Sequence, residues 1–310
     1  LTVASDAGNY LATCRRALVD DAQFAPDREI HLSVLDYETH PEMPRGSWTG
    51  ATFGPRPLAN GLEPTGINAS LNTDERLLQF FDPLTGTGIE ALARPGQFPP
   101  WIESFPVRNF LHWAYQAIGW RIVHAGTLAV GGRGVMLVGA GGTGKSGAVL
   151  SGIIAGLDSA GDDYLALEIT DAAVRAYPVA RMMKQDAAGI RRLGLDPAAR
   201  SLGPPNWQGK HEFDFEDIGA GRRARSIDLM AILLPRIANS RRTIVRPASA
   251  REAMMAFAPN NLHQLPDGWR QGLSFTATVA RRLPAYHLDL GEDPSEIAGV
   301  MADFIAGRRS

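Results

Sequence analysis

Residues 139–146 read Gly-Ala-Gly-Gly-Thr-Gly-Lys-Ser and fit the pattern G-x-x-x-x-G-K-[ST] at every constrained position. Each fixed residue type answers a physical demand. Gly139, Gly141, Gly142 and Gly144 allow positive φ, so that successive amides can turn toward one anion, while Ala140 and Thr143 fill unconstrained positions. Lys145 can reach the β- and γ-phosphates of a nucleotide, and the Ser146 hydroxyl can sit on Mg²⁺. The flanks match the motif's context: Gly134 to Val138 is a short apolar run that predicts a buried strand, and Ser146 to Ala155 predicts a helix whose N-terminus adds its own field. These residues imply binding of a nucleoside triphosphate.

Two further features could take part in phosphoryl transfer, which needs a bridging metal and a group that orients the nucleophile. The doublet Asp162-Asp163 begins 16 residues after Ser146, room enough for a helix and a return strand. Adjacent carboxylates at a strand end face different ways, so one could approach Mg²⁺ while the other accepts a hydroxyl proton. Gly-Asp-Asp also suits a plain solvated turn. His124 lies 15 residues before Gly139, on a run that a hairpin at Gly131-Gly132-Arg133 would fold back toward the phosphates. A structural histidine on a strand is the alternative. Lysine is scarce: only Lys145, Lys184 and Lys210 among 31 basic residues. A GC-rich genome accounts for such a bias. It also makes Lys184 and Lys210 candidates for places where a compact ammonium is needed.

The elements that must position these residues follow from the rest of the chain. Its 310 residues, 45 % hydrophobic and 21 % charged, suit a globular protein of two domains. The net charge of -2 offers no footprint for nucleic acid or an anionic membrane, and Cys14, the only cysteine, excludes an intrachain disulfide. No apolar run approaches the ~18 residues of a membrane span, and Leu1 to Tyr10 lacks the pattern of a signal peptide. The expected location is therefore cytoplasmic.

Residues 1–104 carry turn signals and strand patterns at Glu29–Tyr37, Ser47–Phe53 and Ile67–Leu71, with an apolar run at Leu77–Asp82 and a Pro-rich linker at Pro95–Pro106. They predict a small β-rich or α+β domain of unknown role. Residues 105–310 predict the catalytic domain, opening with an amphipathic helix over Val107–Trp120. Strands are predicted over Arg121–Val130, Gly134–Val138, Leu165–Ile169, within Asp171–Ala180 and Asn206–Phe215, over Leu229–Pro235, where the proline ends the strand, and over Tyr286–Leu290. Helices are predicted at Ser249–Ala258, with Ser249 and Glu252 as a capping box, and at Pro294–Ala306. A hairpin into the glycine-rich loop, where doubly wound nucleotide-binding folds have a helix, predicts a mixed sheet.

His124-Ala-Gly, the hairpin into GVMLVGAGGTGKS and Gly161-Asp162-Asp163 resemble the catalytic domain of HPr kinase/phosphorylase. They resemble still more the related kinases of peptide modification, including the lasso-peptide precursor kinases. Gly209-Lys210, Leu233-Leu234-Pro235-Arg236, the Pro247 to Ala253 stretch and Leu283 to Asp293 are similar to that group as well, so the resemblance spans about 120 to 306. It implies an α/β fold of the HPr-kinase/PEP-carboxykinase-like P-loop type with a mixed sheet. It also implies ATP and Mg²⁺ as cofactors, held by Gly139 to Ser146. By the same resemblance Asp162 is the general base for a serine hydroxyl, Asp163 joins Ser146 near the metal, and His124 supports the base and the phosphates. Lys210 and Arg236 fall in segments where phosphate or substrate contacts are implied. The L-E-I-R-G segment of the bifunctional enzyme is missing, Gly189-Ile190-Arg191 being a faint echo. That absence argues against HPr as substrate and against phosphorolysis. Gly147 stands where many relatives have Thr.

The expected activity is phosphorylation of a serine on a peptide or small protein, such as the C-terminal serine of a lasso-type precursor. A small-molecule hydroxyl kinase and a non-catalytic nucleotide sensor are the alternatives. The expected partner is thus a peptide or small-protein substrate, not nucleic acid or membrane, and oligomerisation is left open.

Overall fold

The computed structural model describes residues 2–5, 9–19, 29–36, 65–72, 77–92, 103–199, 202–266 and 269–308. The chain divides into two compact units, Leu1–Gly119 and Trp120–Ser310. The strand expected at Ser47–Phe53 and most of the linker at Pro95–Pro106 lie outside the described residues.

In the first unit, β1 (Thr2–Ser5), β2 (His31–Asp36), β3 (Asn68–Asn72), β4 (Leu77–Asp82) and β5 (Thr87–Leu92) form one sheet in the order β1-β2-β5-β4-β3. The first three in that order are parallel, and β4 and β3 add on antiparallel. With α1 (Tyr10–Ala17) and α2 (Arg108–Gln116) this is an α+β arrangement. The core joins Tyr10, Leu32, Val34, Phe81 and Leu92 to Val107, Phe110 and Trp113. Phe81 stacks on Trp113 and meets Phe110 edge-on, geometries that add to the area buried. A boundary at residue 104 would cut α2 away from the sheet that covers its apolar face.

One carboxyl is enclosed in this core. Glu90 is fully buried; its Oε2 accepts from Gln79 Nε2 at 2.8 Å, and its Oε1 meets no donor among the described residues. Burial raises its pKa from 4.5 to about 7 against the opposing hydrogen bonds of Gln79 and Tyr10. The folded unit therefore keeps the proton that the unfolded chain releases between those values. Stability is full below about pH 4.5 and falls as pH rises toward about 7, by about 3 kcal/mol in all. Glu90→Gln should raise the thermal midpoint at about pH 8 and leave it nearly unchanged at about pH 4. Equal midpoints for both proteins at the higher pH would show that the buried carboxyl costs nothing.

The second unit is built on a mixed eight-stranded sheet. Its strands are β6 (Arg121–His124), β7 (Gly126–Val130), β8 (Arg133–Leu137), β9 (Tyr164–Ile169), β10 (Val174–Pro178), β13 (Ile227–Ser240), β14 (Ile244–Ala248) and β15 (Ala285–Gly291). β13 pairs in parallel with β8 and β15, while β7–β8, β6–β9, β9–β10, β10–β13 and β14–β15 are antiparallel. A separate hairpin joins β11 (Met182–Asp186) and β12 (Lys210–Asp214), with α4 (Ala187–Arg192) in the connection.

The strand period of two divides the apolar side chains between two cores. Met136 and Val138 face one, with Ala253 and Phe257 of α5 (Ala250–Gln264) and Val279 of α6 (Trp269–Arg282). Val135 and Leu137 face the other, with Val149 and Ile153 of α3 (Lys145–Ile154) and Ile297 and Met301 of α7 (Pro294–Ile305). Each such side chain contributes about 1.5–3 kcal/mol when fully buried, so the β8 strand is fixed from both faces. The expected capping box is present at α5: the Ser249 side chain accepts from Glu252 N, and the Glu252 carboxylate accepts from Ser249 N in return. No helix among the described residues is long and apolar enough to cross a membrane.

Two strands depart from the sequence pattern. β13 does not stop at Pro235 but runs on to Ser240, because β8 pairing ends at Leu233 and leaves that side of the proline with no ladder to complete. The run from Arg121 to Val130 is two strands, not one: β6 pairs with β9 and β7 pairs with β8, with the break at Ala125.

Candidate functional site

The 139–146 loop leaves the end of β8 and enters α3. Gly142 (φ 82°) and Gly144 (φ 93°) are left-handed; Gly139 and Gly141 are not, so only two of the four loop glycines use positive φ. Gly144 is doubly constrained, since a Cβ there would lie 2.5 Å from Leu290 Cδ1. The Thr143 hydroxyl closes the loop by donating to Ala140 O at 3.0 Å. Gly144 is the N-cap of α3 and supplies no side-chain acceptor. The first-turn N–H groups thus have no cap from that residue, the condition under which a helix end takes an anion.

His124 ends β6 and pairs across to Tyr164 at the start of β9, so it does not stand on the strand beside the loop strand. It nevertheless reaches the loop. Lys145 Nζ lies 3.3 Å from His124 Nδ1, and Asn260 Nδ2 lies 3.4 Å from the same atom. On the other side of the ring, Nε2 lies 2.9 Å from Asp163 Oδ1. Lysine and amide donors face Nδ1 and a carboxylate faces Nε2, so the partners assign the tautomer with its proton on Nε2. The backbone N–H of His124 donates to Asn261 Oδ1 at 2.7 Å, and Asn260 Nδ2 donates to Gly139 O at 2.9 Å. The end of α5 therefore ties the first residue of the loop to the strand carrying His124.

The two aspartates have different surroundings. Asp163 has both oxygens engaged: Oδ1 by His124 and Oδ2 by Lys184 Nζ at 3.0 Å. Burial pushes its carboxyl up, but Lys184, His124 and Lys145 outweigh burial and hold it well below the usual range. Asp162 is buried, and its Oδ1 accepts no hydrogen bond among the described residues. Burial raises its pKa, helped by the neighbouring Asp163 charge, against the pull of Lys145 and a hydrogen bond from Ser146. Neighbouring carboxyls driven in opposite directions are the pattern that separates a proton-transfer group from a permanent anion. Gly126 makes the fit possible: a Cβ there would stand 2.7 Å from both Asp162 Oδ1 and Val149 Cγ2. The break after β6 falls next to this glycine, where Asp162 closes on the chain.

The structure thus brings together Lys145, Ser146, His124, Asp162 and Asp163. Ser146 and Asp163, expected to share a metal, are not joined: the carboxylate beside the Ser146 hydroxyl is Asp162, and the oxygens of Asp163 are already taken. Arg236 donates to both oxygens of Asp289, which Arg246 also engages, and its side chain is 61 % exposed. The following residue, Ile237, is the one that nears the loop, 3.4 Å from a Cβ placed on Gly144. Lys210 begins β12 opposite Asp186 and is not bonded to the Asp doublet, His124 or Lys145 among the described residues. Asn260 and Asn261 carry no motif. Lys184 is marked in the sequence only by the scarcity of lysine.

The residues fit a phosphate-bound divalent ion better than a free-standing metal site. Among the described residues no group of three or more His, Cys, Asp and Glu could hold a metal alone. The Ser146 hydroxyl beside the Asp162 carboxylate would leave the remaining ligands to come from a nucleotide and water.

No protein-family model matches the chain, and no curated protein is similar to it in sequence. Among solved structures it is similar to the Hpr(Ser) kinase/phosphatase from Coxiella burnetii, at 12 % identity and a TM-score of 0.33. The overlap covers 60 % of this chain and 97 % of that one. A likeness that loose carries no argument about shared activity.

Proposed function

We propose that the second unit is an ATP- and Mg²⁺-dependent kinase acting on a hydroxyl, that of a serine in a peptide or small protein. The C-terminal serine of a lasso-type precursor is the most specific form of that acceptor. The observation that carries the proposal is the convergence of Lys145 and Ser146 with His124, Asp162 and Asp163 at an uncapped helix N-terminus. Lys145 and the loop amides hold the triphosphate. Ser146 would hold Mg²⁺, which would supply charge compensation to the phosphates. Asp162 accepts the hydroxyl proton as the hydroxyl oxygen attacks the γ-phosphorus and the bond to the β-phosphate oxygen breaks, releasing ADP. Its raised pKa suits that task. Asp163 stays ionised and orients His124.

The acceptor class is tested by incubating the full chain with ATP, Mg²⁺ and a set of hydroxyl compounds: peptides ending in serine, peptides with internal serine, and small alcohols and sugars. A mass gain of one phosphate on serine peptides is the expected result. Phosphorylation of small molecules alone would overturn the peptide acceptor. ATP binding with no transfer to any of them would overturn the kinase.

A further inference from the structure

We infer that Lys184 is a positioning residue of this site, clamping Asp163 so that Asp163 fixes the His124 ring with Nδ1 turned toward Lys145. The inference rests on the kinase reading for its effect on turnover, and on geometry alone for its effect on the ring. Four side chains form a continuous file: Lys184 Nζ to Asp163 Oδ2 at 3.0 Å, Asp163 Oδ1 to His124 Nε2 at 2.9 Å, and His124 Nδ1 to Lys145 Nζ at 3.3 Å. The Lys184 and Asp163 side chains are only 18 % and 24 % exposed, so the pair is poorly screened and its geometry is restricted.

Lys184 comes from outside the main sheet. It lies on β11, whose neighbouring Met183 is buried in the core beneath α3. Gln185 lies beside Gly147 in the first turn of α3, its amide nitrogen 3.6 Å from where a Cβ would stand. The β11–β12 hairpin thus seats itself against the helix and delivers an ammonium to the doublet. Two of the three lysines in the chain meet in this file. Without Lys184 one oxygen of a mostly buried carboxylate would lose its partner, and Asp163 could turn away from the ring.

The test joins kinetics to ring spectroscopy on the full chain. Lys184→Met should lower kcat by about 10²-fold through misorientation while the nucleotide Kd changes less than about threefold, because Lys184 does not touch the loop. Lys184→Arg, which keeps the charge in a broader group, should recover part of the loss. The Asp163→Asn/Lys184→Met double variant should be no slower than Asp163→Asn, since both act through one contact. Losses that multiply, or a kcat unchanged in Lys184→Met, would overturn the inference. Nitrogen-15 NMR of His124 needs no activity: it should show a slowly exchanging Nε2–H in the unmodified protein and at least about tenfold faster exchange in Lys184→Arg or Lys184→Met. A proton on Nδ1, or exchange indifferent to Lys184, would also overturn it, even if no acceptor is ever phosphorylated.

Discussion

Asp162→Asn should lower phosphoryl transfer by about 10³-fold, within the range for loss of a general base, while nucleotide affinity stays within about threefold of the unmodified protein. The substitution is nearly isosteric, so the space over Gly126 and Val149 stays filled. An amide cannot accept the hydroxyl proton, and it removes one negative charge beside Ser146. The second effect should leave metal-nucleotide binding slightly changed in either direction; the first should dominate turnover. Rates measured under saturating nucleotide separate the two. If Asp162→Asn transfers at close to the unmodified rate, Asp162 is not the proton acceptor.

Lys145→Met should weaken nucleotide binding by about 10²-fold, the effect of removing one partner of a desolvated charged contact. Lys145 is 7 % exposed although it carries a full charge, and its ammonium lies against His124 Nδ1. A buried lysine whose contact to His124 Nδ1 is as long as 3.3 Å is poised to move to a phosphate, and methionine fills its volume without its charge. Equilibrium titration with nucleotide and Mg²⁺ reads the loss directly. An unchanged Kd would mean that the loop holds the triphosphate by its backbone alone.

The parts of the site visible in the sequence are those whose backbone chemistry is restrictive. Gly139 to Ser146 announces a strand, a turn and a helix because few other residues satisfy a left-handed position at Gly144 against Leu290. Ser249 and Glu252 announce the start of α5 for a similar local reason. The mixed sheet follows from the hairpin into the loop strand. What stays hidden depends on tertiary contact. RIVHAGTLAV reads as one strand because each residue suits a β ladder, yet Asp162 needs the space at Gly126 and the chain changes partners there. The division of the doublet is equally hidden: Asp162 meets Ser146, while Asp163 is held by Lys184, which arrives on a hairpin from beyond the sheet. Asn260 and Asn261 look like the end of a helix, and only the packing of α5 over the loop reveals their contacts. α6 has no clear signal in the sequence, though its Val279 and Ala280 complete the core on that face.

The most direct measurement of the central claim is a single-turnover experiment. The full chain is loaded with γ-labelled ATP and Mg²⁺, mixed with a peptide ending in serine, and the label is followed in ATP, free phosphate and peptide. The predicted result is passage of the label from ATP into a serine phosphomonoester, faster than into free phosphate, and its loss in Asp162→Asn. Label that stays in ATP, or appears only as free phosphate at the same rate with and without Asp162, would contradict the account.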